Sequence, residues 1–196
     1  MRGQLHDAFS SIIVSLLSSE QTAVYAVAMI LLNYSFAFGD GTQSAVVALA
    51  GRSYGAQDRE GFRQYTRIAV GFGIVCSVLL GFVYLGMAEP YYRFFFTDQK
   101  AVSEGIRYSV VVALLTVIQI SRIIQIGILR GMGEVRIPRY LATICVLLVN
   151  PFVSYIMTIP MKLGVWGVWA GSVASQCTWL LLSVILCRRY RKKLCY

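Results

Sequence analysis

The stretch Leu163–Cys187, LGVWGVWAGSVASQCTWLLLSVILC, contains no charged residue, and the six residues that follow it include five Arg or Lys. A transmembrane helix needs about 20 consecutive apolar residues to cross the hydrocarbon core of a bilayer. A basic flank of this kind is typical of the cytoplasmic end of a span. The stretch therefore predicts a membrane-spanning helix, followed by a basic cytoplasmic tail at 188–196.

The rest of the chain repeats this pattern of long apolar runs. Hydrophobic residues make up 57% of the chain and charged residues only 14%, whereas soluble domains carry about 25% charged residues. We predict an all-α polytopic membrane bundle, one lobe spanning 1–187, with six helices near 2–17, 22–50, 63–88, 102–130, 136–158 and 163–187. The first of these is short for a span, and its match to a cleavable signal peptide is weak.

The distribution of the basic residues predicts the orientation. If the C-terminus is cytoplasmic, 13 of the 18 Arg and Lys residues fall inside and three fall outside. Positive residues collect in cytoplasmic loops, so this bias favours that orientation in the cell membrane. The net charge of +9 is thereby explained as a topology signal, and the expected partner of the basic residues is the lipid bilayer rather than nucleic acid.

Catalytic and metal-binding signatures are missing from the sequence. The chain has one histidine, His6, and its five cysteines form no Cys-x-x-Cys pair. An enzyme would need a paired acid and nucleophile, and none can be identified. We therefore predict no enzyme activity, no metal site and no cofactor.

Three short motifs at the predicted ends of spans carry a family resemblance. The hairpin Leu129–Pro138, LRGMGEVRIP, resembles the Arg-Gly-x-Gly-Asp-Thr-Arg-x-Pro hairpin of the multidrug and toxic compound extrusion (MATE) family. Ala50–Ala56 is similar to the family's Val-Gly-Gln-x-x-Gly-Ala segment, and Leu163–Trp169 matches its Gly-x-x-Gly-Val-Trp segment. The sequence departs from the family pattern at Arg52, Glu134 and Val135, where Gln, Asp and Thr are usual.

The resemblance covers nearly the whole chain and implies the C-terminal six-helix lobe of a two-lobed transporter. Such a transporter exports drugs or cationic, amphipathic metabolites in exchange for Na⁺ or H⁺. The other lobe is then either a missing N-terminal half or a second six-helix unit, and the short first span favours a fragment of a longer transporter. The coupling ion stays open, because the helix from Tyr108 to Leu129 contains no acid.

Candidate site residues are the polar groups that are expensive inside a membrane. Asp40 lies between two glycines, about 18 Å along the helix from Arg52 at 1.5 Å per residue. Asn33, seven residues earlier, lies on the same helix face. We predict that both residues bind the coupling ion or a cationic substrate. The alternative is a structural ion pair between Asp40 and Arg122.

A second set of candidates is the polar stripe Gln119, Arg122 and Gln125 on the fourth helix. Its functional interpretation is substrate binding. In the structural interpretation Arg122 bonds a carbonyl or extends to the interface, and the glutamines join helices. Two other functions also remain open: a lipid-linked saccharide flippase with an Arg122-centred cavity, and a non-catalytic membrane subunit.

Overall fold

The computed structural model describes residues 19–158, 161 and 164–194, and this part of the chain consists of helices joined by short turns. Its elements are α1 (Ser19–Gly55), α2 (Arg59–Gly86), α3 (Ala88–Phe95), α4 (Gln99–Gly131), α5 (Arg136–Ile144), a π-helical segment (Cys145–Val149), α6 (Asn150–Thr158) and α7 (Val165–Leu194). Five stretches are long and apolar enough to cross a membrane: Gln21–Gly55, Arg59–Gly86, Gln99–Gly131, Arg136–Thr158 and Val165–Arg189. The predicted all-α membrane bundle is confirmed, and the helix predicted near 2–17 lies outside the described residues.

Most predicted helix boundaries differ from the structure by two to five residues, and two of the differences change how the chain is divided into elements. The helix predicted near 63–88 ends at Gly86, and α3 follows as a separate short helix with Pro90 in its first turn. Proline is tolerated there because the first turn has no intrahelical partner for its missing N–H. Helix α7 continues to Leu194, so the predicted tail begins inside this helix rather than after it. Basic residues interact favourably with the negative end of the helix dipole, which supports this extension.

Helix α4 is the centre of the bundle. In the most apolar 18 residues of this span, 67% of the residues are buried, whereas the corresponding share in the other four spans is 22% to 39%. Helices α1, α2 and α7 all pack against it. Its fully buried side chains include Tyr108, Leu115, Ile120, Ile124 and Ile128.

Glycines set the closest approach between α1 and α4. A Cβ atom on Gly131 would lie 2.7 Å from the Ala50 Cβ and 3.1 Å from the Gly51 nitrogen. Gly127 faces Gln43 in the same way, and Gly39 faces the Ile123 side chain. Small residues let membrane helices pack backbone to backbone. This glycine seam fixes how α1 is rotated about its own axis against α4.

The ends of α1 and α4 are closed by the same backbone motif. At α4 the Glu134 N–H donates to the Leu129 carbonyl at 3.1 Å, and the Gly133 N–H donates to the Arg130 carbonyl at 2.9 Å. Gly133 has a φ of 81°. This is a Schellman motif, in which the left-handed position favours glycine. At α1 the left-handed position is occupied by Gln57, with a φ of 56°.

We call this side of the bundle the basic end: α1, α4 and α7 end there, and α2 and α5 begin there. Phe62, Met132 and Cys187, from three different parts of the chain, share one hydrophobic cluster at this end. The basic end carries most of the arginines, among them Arg52, Arg59, Arg63, Arg67, Arg130, Arg136, Arg139 and Arg188.

The span Arg136–Thr158 changes from α-helical to π-helical winding before Pro151. In the π-helical segment the Asn150 N–H donates to the Cys145 carbonyl five residues earlier. The same carbonyl accepts a hydrogen bond from the Ser175 hydroxyl of α7 at 2.8 Å. Proline cannot donate to the helix, and such interruptions are tolerated in membranes when neighbouring groups satisfy the backbone. The pairing with Ser175 anchors this irregular turn to α7.

Candidate functional site

The five predicted site residues occupy three different places. Asn33 and Asp40 lie on the exposed surface of α1, Gln119 and Arg122 are buried in the bundle, and Gln125 lines a cleft at the basic end. No hydrogen bond or ion pair joins Asp40 to Arg122 within the described residues. The structural alternative of an Asp40–Arg122 pair is therefore not realised in this structure.

The predicted polar stripe on α4 does not form one continuous surface. Steps of three residues advance about 300° around a helix, 60° short of a full turn, so the stripe winds around α4. Gln119 is 7% exposed and Arg122 is 5% exposed. Gln125 is half-buried and turns towards α2 and α7.

Asn33 and Asp40 belong to a row of small and polar residues along α1. We call this row the α1 strip: it consists of Asn33, Ala37, Asp40, Ser44 and Ala48, all of them exposed. The spacing of 4, 3, 4 and 4 keeps these residues on one helix face. The Ser44 hydroxyl donates to the Asp40 carbonyl at 3.1 Å, within α1 itself. The Asp40 carboxylate stays at the surface, where an ion or a polar ligand can reach it.

The exposed faces of the other outer helices are apolar. The most exposed side chains of α2 include Phe72, Leu79 and Phe82, the last of them 68% exposed. On the π-helical segment and α6 the exposed residues include Leu148 and Phe152. Lipid requires apolar surface of this kind. The α1 strip is therefore less suited to contact lipid than these other faces are, and it is flanked on α1 by the exposed side chains of Tyr34 and Phe36.

Arg122 is stabilised by an aromatic ring instead of an acid. Its guanidinium carbon lies 3.8 Å from the centre of the Trp179 ring on α7. Its Nε is buried without a hydrogen-bond partner, and so are Trp179 Nε1 and Gln176 Oε1. Cation–π contact with a desolvated arginine contributes about 2 kcal/mol. Arg122 therefore packs α4 against α7 in this structure, and it lines no described cavity.

A polar bridge that the sequence did not single out joins α1 to α4. The Gln43 side-chain amide donates to the Ile123 carbonyl at 2.9 Å, and its oxygen accepts a hydrogen bond from Arg130 Nη1 at 2.7 Å. Gln43 is buried. Arg130 and Gly131 are the Arg-Gly pair of the hairpin motif, so this motif has a structural role: Arg130 holds Gln43, and Gly131 admits the α1 backbone.

A second buried polar cluster joins three helices further from the basic end. The Ser35 hydroxyl lies 3.0 Å from the Tyr84 hydroxyl and 3.0 Å from Thr116 Oγ1. The Tyr84 hydroxyl also donates to the Leu31 carbonyl at 3.0 Å. Hydroxyl side chains are common in membrane helices, so nothing in the sequence indicates that these three meet.

The described residues contain no group of three or more His, Cys, Asp or Glu side chains that could hold a metal ion. The α1 strip therefore offers a single carboxylate with amide and hydroxyl neighbours.

Comparison with known proteins identifies the family. A family model described as MatE matches residues 4–156 of the chain. The chain belongs to the MatE family. This confirms the resemblance drawn from the three motifs, and because members of the family are transporters, it also confirms the prediction that the chain is not an enzyme.

Two curated relatives are each described as "Probable multidrug resistance protein NorM". The protein from Pseudomonas putida is 24% identical over 170 residues, which cover 84% of this chain and 37% of that protein. The protein from Agrobacterium fabrum is 24% identical over 186 residues, covering 91% of this chain and 39% of the relative. The MatE chain thus spans about two fifths of the length of the relatives it matches.

Solved structures show the same fold for this part of a transporter. The outward-facing conformation of a multidrug resistance MATE family transporter matches with a TM-score of 0.87 at 16% identity, covering 98% of this chain and 43% of that one. An inward-facing conformation matches with a TM-score of 0.85 at 17% identity, covering 95% and 43%. At this level of identity the likeness concerns the fold alone.

Proposed function

We propose that this chain is one lobe of a secondary active transporter that exports drugs or cationic metabolites by Na⁺- or H⁺-coupled antiport. Family membership and the similarity to two probable multidrug resistance proteins support this role. The lobe works with a second lobe, which is either another part of a longer chain or a second six-helix unit. The basic end faces the cytoplasm of a cell whose plasma membrane holds the protein.

The observation that carries this proposal is the polarity of the α1 strip. A row of small and polar residues on the outside of a membrane bundle is unfavourable against lipid, so it has to face water or protein. Transporters of this kind hold their substrate near the middle of the bilayer, at the interface of two repeats. The α1 strip is therefore the surface that lines the substrate pathway.

In this pathway Asp40 binds the coupling cation or a cationic substrate, and Asn33 adds an amide oxygen two turns away on the same strip. A carboxylate in a water-filled chamber needs no ion-pair partner, whereas one that faces lipid would need such a partner. The Gly41 position beside Asp40 is open, with no atom within 4 Å of a Cβ placed there. A ligand can therefore approach Asp40 closely.

Alternating access follows from movement of the whole lobe. The chain matches an outward-facing and an inward-facing structure almost equally well. This supports a lobe that keeps its internal packing while it moves against its partner, as in rigid-body rocking. The glycine seam and the Gln43–Arg130 bridge provide the internal stiffness that such movement needs.

Cysteine accessibility tests the pathway. Single cysteines at Asn33, Asp40 and Ser44 should react with a charged, membrane-impermeant thiol reagent, whereas cysteines at Phe72 and Leu79 of α2 should not. Cysteine replacements of Phe72 and Leu79 are the matched controls, because these residues are also exposed in the structure but face lipid in the proposal. Equal labelling of both helices would overturn the assignment of the α1 strip.

Efflux measurement tests the role of Asp40. In cells that produce the chain together with its second lobe, Asp40→Asn should abolish gradient-driven efflux of a fluorescent cation, whereas Thr42→Ala should keep it, because Thr42 lies off the α1 strip and its hydroxyl bonds within α1. The thermal stability of the Asn variant should be unchanged, since Asp40 has no side-chain partner in the described residues. Normal efflux by this variant would remove Asp40 from the mechanism. The flippase alternative would need an Arg122-centred cavity, but Arg122 packs on Trp179 and lines neither of the two described cavities.

A further inference from the structure

A cleft of about 280 Å³ opens at the basic end between α2 and α7, away from the α1 strip. Arg67 lies on its α2 wall and Arg188 on its α7 wall, and both are exposed. Thr66, which is 1% exposed, and Gln125 of α4 add polar groups to the lining. None of the described residues that line the cleft is acidic, so the cleft carries two positive charges that face each other across a small volume.

The floor of the cleft continues as an open strip of α4. Val110, Leu114, Ser121 and Gln125 follow one another at spacings of 4, 7 and 4 and lie on one helix face. This face runs between the contacts of α4 with α2, at Ala113 and Ile124, and its contact with Trp179 of α7. Leu114 is 53% exposed and Val110 is 58% exposed, whereas Gln125 lies in the cleft.

The strip therefore changes character along its length. Towards the basic end it is polar and flanked by arginines, and towards the opposite end it is apolar. Gln125 and Leu114 are eleven residues apart, about 16 Å along the helix, which is close to half the thickness of a hydrocarbon core of about 30 Å. A charged head followed by an apolar chain of this length is the shape of a phospholipid in one leaflet.

We propose that this cleft binds an anionic phospholipid, with its phosphate held between Arg67 and Arg188 and one acyl chain lying on Leu114 and Val110. Arginine pairs well with phosphate because its fork of N–H donors matches the phosphate oxygens. Basic pockets between membrane helices bind lipid headgroups by this chemistry. A free phosphate would use the arginines but would leave the apolar half of the strip uncovered.

The proposal makes the lipid a contact of the outer surface, separate from the substrate pathway. Bound there, it would join α2 to α7, two helices that both pack against α4. The lipid would thereby stabilise the packing of the lobe at its basic end.

Lipid binding by the full chain in detergent tests the proposal. Native mass spectrometry would compare dioleoylphosphatidylglycerol with dioleoylphosphatidylcholine, and glycerol phosphate would serve as the soluble competitor. The anionic lipid should bind more tightly than the zwitterionic one. Arg67→Gln and Arg188→Gln should each weaken its binding about fivefold, the effect of one basic residue near a lipid surface. Leu114→Asn should weaken lipid binding without changing that of glycerol phosphate.

Two sets of control variants test whether the position and the charge of the two arginines account for lipid binding. Arg107→Gln removes the same charge from an exposed arginine elsewhere on α4 and should change lipid binding less than twofold. The double variant Arg67→Lys with Arg188→Lys keeps the charge and should keep more of the binding than the double Gln variant. Equal binding of both lipids, an equal loss in Arg107→Gln, or displacement of the lipid by equimolar glycerol phosphate would each overturn the proposal.

Discussion

The bridge between Gln43 and Arg130 allows the sharpest test of how the lobe is held together. Gln43→Leu keeps the size of the side chain but removes its hydrogen bonds to the Ile123 carbonyl and to Arg130, which measure 2.9 Å and 2.7 Å. A hydrogen bond to a charged group contributes about 1.5 to 3 kcal/mol, and one between membrane helices averages about 0.6 kcal/mol. Arg130 is exposed and can turn to water. We therefore expect Gln43→Leu to lower the free energy of unfolding by about 2 kcal/mol, which is near the low end of the summed contributions of the two hydrogen bonds.

Unfolding in mixed micelles of rising SDS content would measure this loss through tryptophan fluorescence. The signal reports on the α1 contact, because the Trp169 ring lies 5.1 Å from the ring of Tyr25 on α1. Ser44→Ala, next to Gln43 but exposed and bonded only within α1, is the matched control and should change stability by less than about 0.5 kcal/mol.

A double-mutant cycle decides whether the two residues act as a unit. Arg130→Ala alone should destabilise the lobe, but in the Gln43→Leu background it should cost about 1.5 kcal/mol less, because its partner is already missing. Additive losses, with a coupling below about 0.3 kcal/mol, would refute the bridge as an energetic link between α1 and α4.

Three further changes test the packing. Gly131→Ala should destabilise the lobe by about 1 to 3 kcal/mol in the same assay, because its Cβ would collide with the α1 backbone; Gly41→Ala, which meets no atom within 4 Å, should be neutral or stabilising, and equal losses would contradict the glycine seam. Gln57→Gly should raise stability by about 1 kcal/mol, since a left-handed non-glycine residue carries that strain; a lower unfolding midpoint would disprove it. Arg122→Met should leave thermal stability unchanged or higher, because it removes a buried unpaired charge, whereas Trp179→Leu should lower it by about 2 kcal/mol; the reverse order would show that Arg122 has a stabilising partner beyond the ring.

The spans could be predicted because membrane insertion is a local constraint. Each helix must satisfy its own backbone hydrogen bonds in lipid, so each uncharged run of about 20 residues identifies itself without knowledge of its neighbours. The hairpin at Leu129–Pro138 is local too, since its turn depends on Gly133 in a left-handed conformation. The resemblance of this hairpin to that of a known family therefore helped to predict the fold as well. The short helix α3 escaped prediction because its start depends on a single break after Gly86.

The site could be predicted only as a set of residue types. The sequence identified Asp40 and Arg122 as costly groups in a membrane, and helix spacing placed Asn33 beside Asp40 on one face. Periodicity gives the angle between two residues of one helix but not the direction in which that helix is turned. It could not tell whether the face of Asp40 meets lipid, a chamber or another helix.

The sequence by itself therefore determined that this protein is a membrane bundle of the MatE family, because hydropathy and short motifs depend only on residues that are close together in the chain. Only the tertiary structure decided that Asp40 lies outside and Arg122 inside, that Gln43 holds Arg130, and that Arg67 and Arg188 face one cleft. These facts depend on how α1, α2 and α7 are rotated against α4. That rotation follows from the fit of glycines against side chains and backbone on other helices, and residues distant in the chain meet there without any sequence signal of their meeting.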